Sequence, residues 1–286
     1  VIVCHTFWIS IMRRKRVLKL ARFNSIEEVL AHLKEKTQSQ MDKSDGFSEN
    51  ETQFECPKCQ DRQGFLENRE YGEVWVQCDC IEWRRARRLM KSSEITEEFK
   101  KLGFQNFTTE GKPQIIKDAY ECALSYFKSF KDIREKRQNS IALLGQPGAG
   151  KTHLLTAIAN NLIRRLHIPV LYFPFVEGFN DLKDDFDKLE EKLERMKQID
   201  VLFIDDLFKP ANGKPRATDW EVEQVYAVIN HRYLNHKPIM VSSELDPDQL
   251  CDIDEALGTR IFEMCRDFCV VIQGDRKELN HRLVGV

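Results

Sequence analysis

The sequence predicts an α/β fold around a five-stranded parallel sheet, on three observations. Five short apolar runs follow one another after Ser140: Ile141–Gly145, Pro169–Phe175, Val201–Leu207, Pro238–Ser243 and Cys269–Gly274. Segments with helical periodicity separate them, and strands that alternate with helices pair in parallel, with helices covering both faces. A glycine-rich turn, Gly145–Thr152, joins the first run to the helix that follows it.

In chain order, the first residues are apolar up to Met12 and then basic at Arg13–Arg16. The apolar stretch is too short to span a bilayer, and its charge follows rather than precedes it, unlike a secretory signal. Residues 1–24 are expected to be a basic extension, with Met12 or Met41 as an alternative start. Ser25–Lys36 predicts an amphipathic helix, with Ser25 and Glu28 as a capping box and Ile26, Val29, Leu30 and Leu33 on one face. Thr37–Gln53 is polar and reads as a linker. Glu55–Ile81 holds paired cysteines, and Gly64–Leu66 with Val74–Val76 predicts a small hairpin between them. Glu82–Phe99 and Pro113–Phe130 are expected to be helical. The helix opening at Lys151 places Leu154, Leu155, Ile158, Leu162 and Leu166 on one side. Another, capped by Thr218 and Glu221, is expected to bury Val222, Val225, Tyr226 and Ile229. The expected domains are a region over 25–99 and a sheet domain over 100–286.

Composition bounds the function. Hydrophobic residues at 42% suffice for a real core. A net charge of −2 gives no bulk attraction to a polyanion, so nucleic-acid contact must come from local patches. Trp83–Arg88 is one candidate patch; contact with DNA phosphates and a plainly solvated helix face are both open readings. The sequence carries no export or membrane signal, and the expected location is cytoplasmic.

Gly145, Gln146, Pro147, Gly148, Ala149, Gly150, Lys151 and Thr152 fit G-x-x-x-x-G-K-[ST]. The motif lies where its mechanism needs it, after a strand and opening a helix. A tight loop and a helix N-terminus offer N–H donors to phosphates, Lys151 reaches the β- and γ-phosphates of ATP, and Thr152 offers its hydroxyl to Mg²⁺. Val201–Asp206 is an apolar strand ending in two carboxylates. Asp205 is the candidate Mg²⁺ ligand, and Asp206 the candidate group to polarise an attacking water. The bland alternatives are a chance glycine turn and a strand followed by an acidic turn.

Nine cysteines in a chain with an intracellular nucleotide motif point to metal rather than disulfides. Cys56-x-x-Cys59 and Cys78-x-Cys80 are paired and close, and four thiolates complete a tetrahedral zinc site. So small a module lacks a sufficient core, and zinc would drive its folding. Reduced structural cysteines and an iron–sulfur cluster are the alternatives.

Together these motifs resemble the AAA+ superfamily. The resemblance implies sheet order 5-1-4-3-2, which puts the end of Pro238–Ser243 opposite the γ-phosphate as "sensor 1". That position holds Glu244, where the family more often has Asn, or else Ser243, for which a helix N-cap is an equal reading. Asp254–Ile261 resembles the segment carrying the arginine finger, so Arg260 would reach a neighbouring subunit's ATP; a surface salt bridge is the alternative. Arg266 competes with it, and Arg276 is a candidate sensor arginine in cis. Few residues follow Gly274, and no C-terminal lid domain is expected. Cysteine module and missing lid narrow the resemblance, over roughly Ile26 to Arg282, to DnaC/DnaI-type replicative helicase loaders, especially the phage and prophage group, with IstB-type transposition helpers as near relatives. It implies that the N-terminal region grips a replicative DNA helicase. It also implies that the AAA+ domain binds single-stranded DNA and slowly hydrolyses ATP, self-associating in an ATP-dependent ring or helix. Phe104–Phe107 is the candidate segment against adenine, or a pair of core aromatics. A transposition helper, a small-molecule kinase and a zinc-dependent DNA-binding regulator are the other readings.

Overall fold

A computed structural model describes residues 54–183, 185–211 and 214–283. The expected extension over 1–24, the helix Ser25–Lys36 and the linker Thr37–Gln53 lie outside the described residues. The chain divides into two units, Val1–Pro57 and Lys58–Val286. Residues 54–57 of the first carry no helix or strand. All elements below belong to the second.

The hairpin forms as expected. β1 (Gly64–Arg69) and β2 (Gly72–Gln77) pair antiparallel, with Leu66 opposite Trp75 and Arg69 opposite Gly72. Helix α1 (Cys80–Ser92) follows. It stops short of the expected Phe99 because the Ser93 hydroxyl donates back to the Met90 carbonyl at 2.8 Å. Glu94 then takes a left-handed φ of 61°. That turn drops Ile95 into the core, 3% exposed, and Glu94 is held by Lys192 and Arg195. Helix α2 (Gln114–Ile133) starts behind Pro113.

The main sheet has five parallel strands: β3 (Ile141–Gly145), β4 (Val170–Pro174), β5 (Val201–Asp205), β6 (Ile239–Ser243) and β7 (Cys269–Ile272). Their spatial order is β4-β5-β6-β3-β7. Counted among themselves and read from the other edge, this is the expected 5-1-4-3-2. The connecting helices are α3 (Lys151–Leu166), α4 (Phe175–Leu182), α5 (Phe186–Gln198), α6 (Asp219–Leu234), α7 (Pro247–Ile253) and α8 (Glu255–Cys265), with α9 (Arg276–Leu279) after β7.

Alternation along β3 divides the core. Ile141 and Leu143 pack with Tyr126 and Phe130 of α2 and with Leu154, Leu155 and Ile158 of α3. Ala142 and Leu144 face the opposite layer, with Phe173, Ile204, Val225, Ile229 and Ile261. Both faces of these strands are apolar because helices cover both. Each fully buried aliphatic side chain contributes about 1.5–3 kcal/mol. Leu166, Val222 and Tyr226, expected on the buried faces, are half-buried at the core margins. Arg232 is fully buried on α6 and donates to the carbonyls of Met196, Ile199, Asp200 and Pro238 at 2.7–3.0 Å. Burial pushes its pKa down to about 9. Its five-donor fork ties the end of α5 to the starts of β5 and β6.

Residues 90–107 belong to the same core. Met90 and Ile95 pack into it. Tyr172 of the edge strand β4 donates its N–H to the Ser93 carbonyl at 2.8 Å. Asn160 of α3 donates to the carbonyls of Phe99 and Leu102 at 2.9 and 2.7 Å. The segment is thereby pinned along α3 and delivers Phe107 to the glycine-rich turn.

Candidate nucleotide site

The turn between β3 and α3 is built for close approach. Gly145 has φ 99°, and a Cβ there would lie 2.2 Å from the Ile272 carbonyl oxygen. Gly150 has φ 86°, and its Cβ would lie 2.5 Å from the Phe107 ring. Only glycine satisfies both the left-handed backbone and the contact. Lys151 is 5% exposed, and its Nζ donates to the carbonyls of Gly145 and Gln146 at 2.7 and 2.8 Å. Burial pushes its pKa down to about 8, against the opposing pull of Glu244, Asp206 and Asp205. An ammonium held by neutral carbonyls in a cavity wall suits an anionic ligand.

The carboxyl end of β5 meets this turn. Asp205 Oδ1 accepts from Thr152 Oγ1 at 2.9 Å and from Ser242 Oγ at 2.5 Å, and its Oδ2 accepts from Tyr172 Oη at 3.1 Å. Burial raises the Asp205 pKa, with help from Asp206, while the bonds from Ser242, Thr152 and Tyr172 lower it. Asp206 has φ 54° and donates its N–H to Ser242 Oγ at 2.8 Å. Ser242 therefore orients both acidic residues. A threonine hydroxyl beside a buried carboxylate is a hard oxygen pair that fits Mg²⁺.

A cavity of about 960 Å³ opens over these groups. Pro147, Gly148, Gly150, Lys151 and Thr152 form one wall, and Asp205, Asp206 and Glu244 another. Phe107 and His281 line it beside Gly150, their rings 5.2 Å apart. The volume lies within the range of ligand pockets. The structure thus gathers the glycine-rich turn, both acidic residues and Glu244 around one space.

Other expected residues lie elsewhere. The Ser243 hydroxyl is buried and donates to the Leu207 carbonyl at 2.7 Å while accepting from the Leu245 N–H at 3.1 Å; it does not line the cavity. Arg260 sits on α8 outside the cavity, with Nε on Asn230 at 3.0 Å and the rings of Tyr226 and Tyr233 at 5.3 and 5.5 Å. Arg266 and Arg276 are exposed, and the arginine on the cavity wall is Arg282. The two aromatics of Phe104–Phe107 separate. Phe107 lines the cavity, and Phe104 packs against Tyr120 and Phe127 at 5.8 and 6.3 Å. Sequence reasoning missed Tyr172, Lys209, Ser242 and His281. Of these only Lys209 had a local signal, a cation three residues beyond the acidic pair.

The four cysteines converge as their spacing suggests. The Sγ atoms of Cys56, Cys59, Cys78 and Cys80 lie within 4.8 Å of one another, and all four residues are buried. Four thiolates around zinc stand about 3.8 Å apart at the usual bond length, so the cluster fits that ion. The basic stretch after it is partly engaged, with Arg84 paired to Asp61, while Arg85 and Arg88 are exposed. Among the described residues no helix is long and apolar enough to cross a membrane.

Residues 100–265 match the family model of the bacterial DnaA ATPase domain. The phage-like element PBSX protein XkdC of Bacillus subtilis (strain 168) is 61% identical over 235 residues, covering 82% of this chain and 88% of that protein. The crystal structure of DnaI superposes with a TM-score of 0.52 at 23% identity, over 64% of this chain and 94% of that one. The crystal structure of the DnaC helicase loader gives 0.51 at 20% identity, over 62% and 100%. These two likenesses are likenesses of fold. The chain belongs to the family of the bacterial DnaA ATPase domain, as a phage-type, DnaC-like AAA+ ATPase linked to DNA replication.

Proposed function

We propose that this ATPase acts in the cytoplasm as a loader that places a replicative helicase on single-stranded DNA, with ATP as its switch. Lys151 and the glycine-rich turn hold the phosphates, and Thr152 with Asp205 holds Mg²⁺, which when bound neutralises phosphate charge. Asp206 orients and polarises the attacking water. Arg260, outside its own cavity, serves the nucleotide of the next subunit in a ring or helix. Cys56, Cys59, Cys78 and Cys80 hold zinc, and the region before the ATPase domain grips the helicase.

One observation carries the reading. Helix α1 starts at Cys80 of the cysteine cluster and ends in the turn whose Ser93 carbonyl is bonded to Tyr172, and Tyr172 in turn is bonded to Asp205. A partner held at the cysteine module therefore has a short covalent and hydrogen-bonded route to the nucleotide site. The likeness in fold to DnaI and the DnaC helicase loader supports the choice of partner. A transposition helper shares the same core. The test is a pull-down with the full chain against purified replicative helicase and transposases, with Mg²⁺ and ATP. Capture of the helicase is expected. Capture of a transposase alone replaces the loader reading with the helper reading.

A further inference from the structure

Glu244 lines the nucleotide cavity at the place where a γ-phosphate sensor is expected, and a carboxylate there repels phosphate. The turn after β5 supplies what offsets it. Asp206 and Phe208 both have left-handed backbones, φ 54° and 51°, which for a bulky phenylalanine is a costly conformation. The Phe208 side chain is fully buried, 5.1 Å from the Phe175 ring, and the Leu207 N–H donates to the Ser242 carbonyl at 2.9 Å. Packing thus holds the strained turn in place. Its result is to fold Lys209 back over the acidic pair. The Lys209 N–H donates to the Asp206 carbonyl at 3.1 Å, its Nζ lies 2.5 Å from Asp206 Oδ2 and 3.9 Å from Glu244 Oε1, and the residue lines the same cavity as Lys151.

A plain surface ion pair between neighbours in a turn needs no strain and contributes little. Here two strained residues and a buried ring position one ammonium between the two carboxylates that face the phosphate end of the cavity. Burial works against the charge on Lys209, but the bond and charge of Asp206, with Glu244 and Glu177, outweigh it and hold its pKa above the usual value. It remains a cation throughout the physiological range.

We propose that Lys209 is the γ-phosphate contact of this site: its ammonium exchanges the Asp206 carboxylate for a γ-phosphate oxygen, offsets Glu244, and leaves Asp206 able to polarise water. The inference rests on the phosphate-site reading above and deepens it. Because ADP lacks the γ-phosphate, the contact discriminates the two nucleotides.

The test is equilibrium binding of Mg²⁺–ADP and of a non-hydrolysable Mg²⁺–ATP analogue to the full chain and to Lys209→Met and Lys209→Arg, with thermal melts alongside. Loss of one charge-assisted bond predicts that Lys209→Met weakens the ATP analogue about tenfold while ADP affinity stays within about twofold. Lys209→Arg keeps the charge and is expected to keep most of the discrimination, which covers the case in which the methionine variant does not fold. Equal weakening for both nucleotides, no weakening at all, or loss of discrimination in a folded arginine variant equal to that of methionine overturns the assignment. A wild-type chain that binds neither nucleotide overturns the phosphate-site reading, and this inference with it.

Discussion

Asp206 and Arg260 illustrate how differently two residues of one proposed reaction are placed. Asp206 lies on the wall of its own cavity, next to the buried Asp205. Asp206→Asn keeps the shape and the bond from its N–H to Ser242 but loses the carboxylate, so nucleotide binding should persist while hydrolysis falls about a hundredfold or more. Arg260 touches Asn230, Tyr226 and Tyr233 and no part of its own cavity. Arg260→Ala should therefore reduce hydrolysis only at protein concentrations where subunits associate. Turnover measured across a concentration series separates the two, and parallel behaviour of the variants contradicts the trans role. The glycine-rich turn and the acidic pair were legible because their chemistry is local: glycine where φ is positive, lysine and threonine opening a helix, carboxylates ending an apolar strand. Tyr172 and Ser242 were not, since each reaches Asp205 only through the pairing of β4 and β6 with β5. The placement of Ser243 has a related cause. It stands beside Ser242 at a strand end, and strand alternation turns one hydroxyl to the acidic pair and the other to the Leu207 carbonyl.

At the scale of elements, α1 begins at a cysteine of the cluster, Cys80. The hairpin exposes Leu66 and Trp75 and buries little of its own, so the metal is expected to supply much of its folding energy. Freshly reduced protein should carry about one zinc per chain, and Cys56→Ser or Cys78→Ser should remove it. Elemental analysis gives the stoichiometry, and the fluorescence of Trp75 and Trp83 should change on chelation, since Trp75 lies between the two cysteine pairs in sequence and Trp83 just after the second. Reduced protein without zinc, and with unchanged fluorescence in chelator, contradicts the metal site. The helices beginning at Lys151 and after Thr218 were legible from phosphate-loop and capping chemistry, and their observed starts agree. The end of α1 was not. The Ser93 hydroxyl and the left-handed Glu94 close the helix locally, but a serine and a glutamate are no stop signal by themselves; what fixes the turn is Ile95 entering a core built by α2 and α3.

On the scale of the whole molecule, the sheet order was legible only through the resemblance to the AAA+ superfamily that the strand count and motifs carried, and the observed order agrees with it. The return of residues 281–282 to the cavity was not legible, since no spacing in the sequence links His281 to Phe107 or to Gly148. The His281 N–H donates to the Gly148 carbonyl at 2.9 Å, so the phosphate turn is held from both ends of the ATPase domain. Such closure suits a switch, in which nucleotide occupancy is read by chain segments distant in sequence. The central claim is that this switch governs delivery of a helicase to DNA. Its most direct test is transfer of the purified replicative helicase onto circular single-stranded DNA, followed as DNA-bound helicase after addition of Mg²⁺–ATP. The wild-type chain should raise the bound fraction in an ATP-dependent way, and Lys151→Ala, which is expected to keep any grip on the helicase, should not; a bound fraction that is the same with wild type, with Lys151→Ala and with no added chain contradicts the loader account.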